Sequence, residues 1–358
     1  MKLLLAGGGT GGHLFPAVAL AQRLLEQDSE AQVQFVGTAR GIEARVLPEQ
    51  GWPLELIDIR GFVNQGLLGK LRMIPCLIRS VWQGLCILRK FQPDVVLGVG
   101  GYASAPMLVA ARLKRIPTVI HEQNAWPGLT NRLLGPWARC VCLSFSEAER
   151  AFHRAATIVT GNPLRKGMEG CPPMDGDAPE LLVFGGSRGA RAINDAMLEA
   201  LPRLEPWKDR LRIVHQTGGD DLQRIREGYA RAGWPQESVV PFIDDMAAAY
   251  ARAHLVVCRA GATTLAELAA CGRAAILIPY PHAAADHQTV NARAMAKKGA
   301  GLVLAQQNLT PETLASLITD LLENRPRLIS MSAAAKSLGI TGAADRILRV
   351  CRNVCGQD

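Results

Sequence analysis

No apolar run in these 358 residues is long enough to span a bilayer, which takes about 20 residues. The opening apolar stretch, Leu3–Ala6, is too short for the core of a secretory signal and runs straight into glycine. No two cysteines have the C-x-x-C spacing of a zinc site, and nine cysteines without a framework read as reduced thiols of an intracellular protein. No D-x-D pair stands at a strand end, and the Asp286–His287 pair lacks partners at ligand spacing, so no bound metal is expected. Acidic residues are the scarcer charge, 32 against 40 Lys and Arg, and the net charge of +8 suggests an anionic partner.

Strand-like and helix-like patterns alternate along the whole chain. "KLLLAGG" is short and fully apolar, as a parallel strand buried on both faces would be. The helix pattern "PAVALAQRLLEQ" follows, with Pro16 suited to a first turn. "AQVQFVGT", "PDVVLGVGG" and "PTVIHEQN" repeat the strand signal, as βαβ units require. The pattern then restarts at "PELLVFGGSRGARAINDAMLEAL", after the Gly- and Pro-rich stretch "GNPLRKGMEGCPPMDGDAPE", the best candidate for a linker. Two Rossmann-like α/β domains in tandem are predicted, 1–160 and 161–339, with a terminal helix over 340–358 able to pack back on the first. In such sheets ligands bind outside the strand carboxyl ends.

Gly7, Gly9 and Gly12 match G-x-G-x-x-G, whose glycines let a phosphate approach the backbone at a helix start. A dinucleotide would also want an acidic residue after the second strand, and "FVGTAR" has none, although Arg40 could face a ribose phosphate. His13 stands where this loop becomes a helix. It is either a loop histidine satisfied by backbone or a base kept neutral by the helix N-terminus. Tyr102 and Ser104 follow a second glycine loop, and His121, Glu122, Gln123 and Asn124 cluster after the next strand. Polar groups at strand ends more often mark a site than a core. In the second half, Ser187 and Arg188 begin one helix. In "CRAGATTLAELAACG" Gly261 allows a tight turn, Thr263 and Thr264 can cap the next helix, and Glu267 falls in its first turn. That arrangement offers amides to a diphosphate and a carboxylate to vicinal hydroxyls, or a simple charge on a helix dipole.

Together "GGGTGGH", "GVGGYASAP", "HEQN", "GNPLR", "GGSRGAR", "FIDDM", "CRAGATTLAEL" and "DHQTVNA" resemble the signature blocks of the MurG family, in order from residue 7 to about 292. The resemblance implies a GT-B glycosyltransferase, two Rossmann-like domains facing a cleft. It implies inverting transfer of GlcNAc from UDP-GlcNAc to lipid I, giving lipid II in peptidoglycan synthesis, without cofactor or nucleic acid. Carried over by motif, Ile243 borders uracil. Ala262, Thr263, Thr264, Leu265, Ala266 and Glu267 hold ribose and diphosphate, with Ser187 and Arg165 adding polar contacts. Gln288 and Asn124 meet the sugar, and Thr10, Gly11 and Gly12 close on the donor. Tyr102 and Ser104 lie on the acceptor side. His13 is the leading base and Glu122 the alternative. Arg188 departs from the family, which usually has glutamine there. A UDP-sugar epimerase or a non-catalytic nucleotide-binding module would share the loops; dependence on lipid I separates them.

The resemblance also implies a peripheral place on the cytoplasmic face of the bacterial inner membrane, and Gly61–Pro93 suits docking on an anionic surface. It contains Lys70, Arg72, Arg79, Arg89 and Lys90 with no acid. Ile78, Val81, Leu85 and Leu88 recur at helical spacing and are expected to face the core. Leu67, Leu68, Leu71, Met73, Ile74, Leu77 and Trp82 are further apolar residues of the segment, and the turn before Pro75, with Trp82 nearby, is then surplus apolar surface.

Overall fold

The apolar runs form two parallel sheets in this computed structural model, which describes residues 1–59, 74–173 and 178–356. The first sheet comprises β1 (Lys2–Gly7), β2 (Gln32–Gly37), β3 (Leu54–Leu56), β4 (Val95–Gly100), β5 (Thr118–Glu122), β6 (Cys140–Leu143) and β7 (Thr157–Val159). Its order is β3-β2-β1-β4-β5-β6-β7, with every pairing parallel. The second comprises β8 (Glu180–Phe184), β9 (Arg212–Gln216), β10 (Val239–Val240), β11 (Leu255–Cys258), β12 (Ala274–Leu277) and β13 (Gly301–Val303). Its order is β10-β9-β8-β11-β12-β13, again all parallel. Helices cover both faces, so the central strands alternate nothing: all of β4, β5, β8, β11 and β12 is buried.

The chain divides into two compact units, Met1–Arg165 with Gly342–Asp358, and Lys166–Thr341. The helix Ala343–Cys355 belongs to the first because its apolar stripe is buried there. Ile347, Leu348 and Cys351 join Leu14, Leu20 and Leu24 in one core cluster. At the rim, Arg23 donates to both oxygens of Asp345 at 2.6 and 3.2 Å. The pair is half exposed, so it adds little beyond fixing register.

Two expectations are corrected here. Pro16 lies inside the helix Gly11–Gln27 rather than in its first turn, because the helix begins at the glycines, with Thr10 as N-cap. In the helix Ile74–Phe91, Leu77, Val81, Leu85 and Leu88 face the core, a clean i, i+4, i+8, i+11 stripe. Ile78 is one residue off that stripe and is 65% exposed, beside Trp82 at 64%. Ile78, expected in the core, is therefore surface, and Leu77 takes its place on the buried stripe. Leu67, Leu68, Lys70, Leu71, Arg72 and Met73, and the Ile74 side chain, lie outside the described residues.

Candidate functional site

In both sheets the strand order reverses beside the first strand of the unit. The crevices outside β1 and β4, and outside β8 and β11, are the expected ligand positions. The motif residues gather there.

At the first switch point, Gly7, Gly8 and Gly9 all have positive φ, so the loop needs glycine's freedom. The loop is not an open phosphate cradle. The buried Glu43 fills it: its carboxylate accepts from the Gly9 amide at 2.6 Å, the Thr38 amide at 2.9 Å and the Thr38 hydroxyl at 3.1 Å. A Cβ on Gly8, Gly37 or Gly41 would collide with the Glu43 side chain. A phosphate at Gly9 would meet a carboxylate rather than an N–H, which counts against the dinucleotide reading. Nothing in the local sequence around Glu43 signals this role; only the fold brings residue 43 to residue 9.

His13 is the third residue of the following helix and is half-buried. Its Nδ1 lies 3.0 Å from Gln123 Oε1, and its ring rests against Gly100 at the end of β4. Gly100 has φ +91°, and a Cβ there would come within 2.9 Å of His13 Cε1. Gly100→Ala is therefore expected to cost about 1–2 kcal/mol for the left-handed backbone. A urea midpoint equal to wild type would show that the position tolerates a side chain.

Gln123 also donates to the Val99 carbonyl at 3.0 Å and approaches His121 Nδ1 at 3.1 Å. Burial, with a smaller push from His13, lowers the His121 pKa to about 4 against the opposing hydrogen bond to Gly161, so this histidine is neutral at pH 7. Glu122 is buried with both oxygens engaged. Oε1 accepts from the Asn124 amide and side chain at 2.9 and 3.2 Å, and Oε2 from Gly128 N and Asn131 Nδ2 at 3.1 and 2.8 Å. It is the anchor of the 123–128 loop. Asn124, held through Glu122, is half-buried, and Tyr102 is 47% exposed. Ser104 is corrected as a surface contact. It is fully buried as the first residue of its helix, beneath Gly98, and its hydroxyl has no partner among the described residues. Thr10 is exposed, Gly11 and Gly12 are half-buried, and the Arg165 guanidinium lies 5.6 Å over the Phe15 ring.

At the second switch point Ser187 and Arg188 are both exposed, on the loop before the helix Arg191–Ala200. Nothing in the structure explains the arginine at 188. Gln216, at the end of β9, is buried and joins two parts of the site. It donates to the Gly186 carbonyl at 2.9 Å and accepts from the Ile243 amide at 2.9 Å. The helix Ala262–Cys271 has Gly261 as N-cap with no side-chain cap, so Thr263 and Thr264 sit inside the first turn rather than capping it. Ala262 and Leu265 are buried and Ala266 half-buried. Glu267 is one turn further in than its motif suggested, because the helix begins at Ala262, and it is buried, accepting from the Tyr250 hydroxyl at 3.2 Å.

Gln288 is half-buried near the start of the helix His287–Lys297, and its Oε1 accepts from the Tyr280 amide at 2.9 Å. Ala285 and Asp286 before it are both left-handed, with φ 52°, an uncommon conformation for non-glycine residues that clusters at functional sites. Arg259 lies beneath, buried, donating to the Ile278 and Pro279 carbonyls and to Gln306 Oε1. Arg259 directly follows the apolar strand β11, and a charged residue at that terminus is the one local signal of its role.

Residues 3–143 match the glycosyltransferase family 28 N-terminal domain and residues 180–347 the family 28 C-terminal domain. The UDP-N-acetylglucosamine–N-acetylmuramyl-(pentapeptide) pyrophosphoryl-undecaprenol N-acetylglucosamine transferase of Geobacter sp. (strain M21) is 50% identical over 352 residues, 97% of this chain and 95% of that protein. The crystal structure of Acinetobacter baumannii MurG superposes with TM-score 0.80 at 35% identity, covering 98% of this chain and 99% of that one. The chain belongs to the MurG family. Its fold is the GT-B glycosyltransferase fold of MurG. A solved UDP-N-acetylglucosamine 2-epimerase also superposes, with TM-score 0.67 at 14% identity over 100% of this chain and 96% of that one. That likeness shows a shared fold alone, since one fold hosts several chemistries. MurG membership, resting on identity along nearly the whole chain, is what separates the two.

Proposed function

We infer that the chain transfers N-acetylglucosamine from UDP-GlcNAc to lipid I, forming lipid II. The identity of about 50% with a transferase named for this reaction, over 97% of the chain, carries the reading. The test is transfer of radiolabelled sugar from UDP-GlcNAc to a lipid I analogue. Acceptor-dependent appearance of the lipid product is expected; sugar epimerisation without acceptor would overturn it.

The donor's nucleotide lies in the second unit. Ile243 borders uracil, the Ala262–Glu267 segment with Ser187 meets ribose and diphosphate, and Gln288 meets the sugar. Gln288 suits this because Tyr280 holds its Oε1, which turns its NH₂ donors the other way. Ribose hydroxyls donate to Glu267 beside the Tyr250 phenol. Losing a hydrogen bond to a charged group costs about 1.5–3 kcal/mol, roughly ten- to a hundredfold in affinity. Glu267→Ala is expected to weaken UDP by that factor in calorimetry; equal affinity in the folded variant would remove Glu267 from the site.

The first unit supplies the base and the acceptor side. Thr10, Gly11 and Gly12 close on the donor, Asn124 meets its sugar, Arg165 adds a polar contact to the nucleotide, and Tyr102 lies on the acceptor side. Inversion takes one displacement: a base receives the acceptor proton as the UDP oxygen departs, and helix N-terminal amides oppose the charge that develops. Glu122 already accepts four hydrogen bonds and anchors its loop, whereas His13 is half-buried at the end of the glycine loop, outside β1 and β4. His13 is the base.

No described helix is long and apolar enough to cross a membrane. Peripheral docking of the first unit rests on Ile78, Trp82, Leu113, Leu129, Leu133 and Trp137, each more than half exposed on helices that pack in sequence. Leu129, Leu133 and Trp137 recur every four residues, one face of a short helical segment. Arg79, Arg89 and Lys90 are exposed on the helix Ile74–Phe91 that also carries Ile78 and Trp82, though Asp58 and Glu55 pair with Arg79 and Lys90 at 3.1 and 2.8 Å. Ile78→Glu with Trp82→Ala is expected to abolish most sedimentation with anionic vesicles. Equal binding of variant and wild type would place the membrane contact elsewhere.

A further inference from the structure

A hydrogen-bonded chain behind His13 determines which of its nitrogens carries the proton. We propose that Gln123 is a positioning residue that holds His13 as the Nδ1–H tautomer, so that Nε2 receives the acceptor proton. This rests on the reading of His13 as the base.

The polarity of the chain is set by backbone carbonyls, which only accept. Gln123 is buried, and one end of its amide lies 3.0 Å from the Val99 carbonyl. That end must be the NH₂, so the oxygen is the end that faces His13 Nδ1 at 3.0 Å. An amide oxygen also only accepts, so Nδ1 must carry the proton. The other branch agrees. The same NH₂ lies 3.1 Å from His121 Nδ1, which must then accept, leaving the His121 proton on Nε2. There it faces the Gly161 carbonyl at 3.2 Å and the Ser144 hydroxyl at 3.2 Å. Turning the amide over would set oxygen against the Val99 oxygen and leave two rings misprotonated. Burial of His121 keeps it neutral, so it continues to accept from Gln123 at pH 7.

In the reaction the Nε2 lone pair takes the proton of the acceptor hydroxyl. The oxygen's electron pair forms the bond to the anomeric carbon, and the pair of the breaking C–O bond leaves with UDP. The resulting imidazolium keeps its Nδ1–H on Gln123 Oε1, a neutral acceptor that supports the charge without trapping the proton.

The experiment is a two-bond ¹H–¹⁵N correlation on the full chain labelled with ¹⁵N-histidine, above neutral pH, with His13 assigned from the missing signal in His13→Ala. The wild type is expected to show a protonated-type shift at His13 Nδ1 and at His121 Nε2. In Gln123→Met, which cannot accept, His13 is expected to move toward the Nε2–H form that water favours. Turnover then falls at least about tenfold while UDP affinity holds, as expected of a wrong tautomer. Gln123→Glu, which still accepts, keeps the Nδ1–H form. An Nε2–H signal at His13 in the wild type overturns the proposal without any variant having to fold, and so does an unchanged tautomer in Gln123→Met. Undiminished transfer by His13→Ala would instead sink the base assignment, a result on which the nitrogen shifts do not depend.

Discussion

His13→Ala is expected to lose transfer turnover by about 10²–10⁴-fold, the contribution of a positioned base, while UDP affinity stays near wild type. The split follows from the architecture. His13 sits at the β1 switch point of the first unit, whereas the proposed nucleotide contacts, from Ser187 to Glu267, belong to the second. Alanine removes the ring from beside Gly100 and Gln123 but leaves the Glu43 network under the glycine loop intact. Turnover and UDP binding measured on the same preparation separate the alternatives. A rate loss below about fivefold would pass the role to water or another group. A parallel loss of UDP affinity would mean that His13 binds donor rather than moving a proton.

Glu43→Ala is expected to destabilise the first unit by about 3 kcal/mol or more. Three donors, the Gly9 amide and the Thr38 amide and hydroxyl, would lose their shared acceptor in a buried place. Each unmade buried hydrogen bond costs about 1–3 kcal/mol. The space around three glycines whose missing side chains make room for Glu43 would also be left unfilled. Urea unfolding gives the loss, and transfer activity is expected to fall with it because the loop that starts the His13 helix is no longer tied down. Glu43→Gln should fall between the two, since its oxygen can still accept at Thr38 while its NH₂ opposes the Gly9 amide. An unfolding midpoint for Glu43→Ala equal to wild type would show that water replaces the carboxylate without cost.

The strands were legible because parallel strands covered on both faces are short, apolar and punctuated by glycine, as "KLLLAGG" and "PDVVLGVGG" are. The loops that carry the site were legible for the same reason: they begin where those runs stop. Helix starts were read less well. Pro16, Thr263 and Glu267 each fell a turn or part of a turn from their expected places, because a helix end depends on which amides the flanking loop leaves to be satisfied. Ile78 was expected in the core and Leu77 took that place instead, because adjacent residues are 100° apart on a helix and an apolar pair does not say which member the core will take.

By itself the sequence determined the tandem Rossmann plan, the family and the set of polar residues at strand ends, since all of these are written in local periodicity and contiguous motifs. The tertiary structure alone decided what those polar residues do to one another. Glu43 reaches Gly9 across 34 residues and Gln123 reaches His13 across 110. Hydrogen bonds act over about 3 Å, and only the folded sheet brings such distant residues that close. That is why a glycine loop that reads as a phosphate cradle holds a carboxylate of its own chain, and why Glu122, one of two candidate bases, is an anchor.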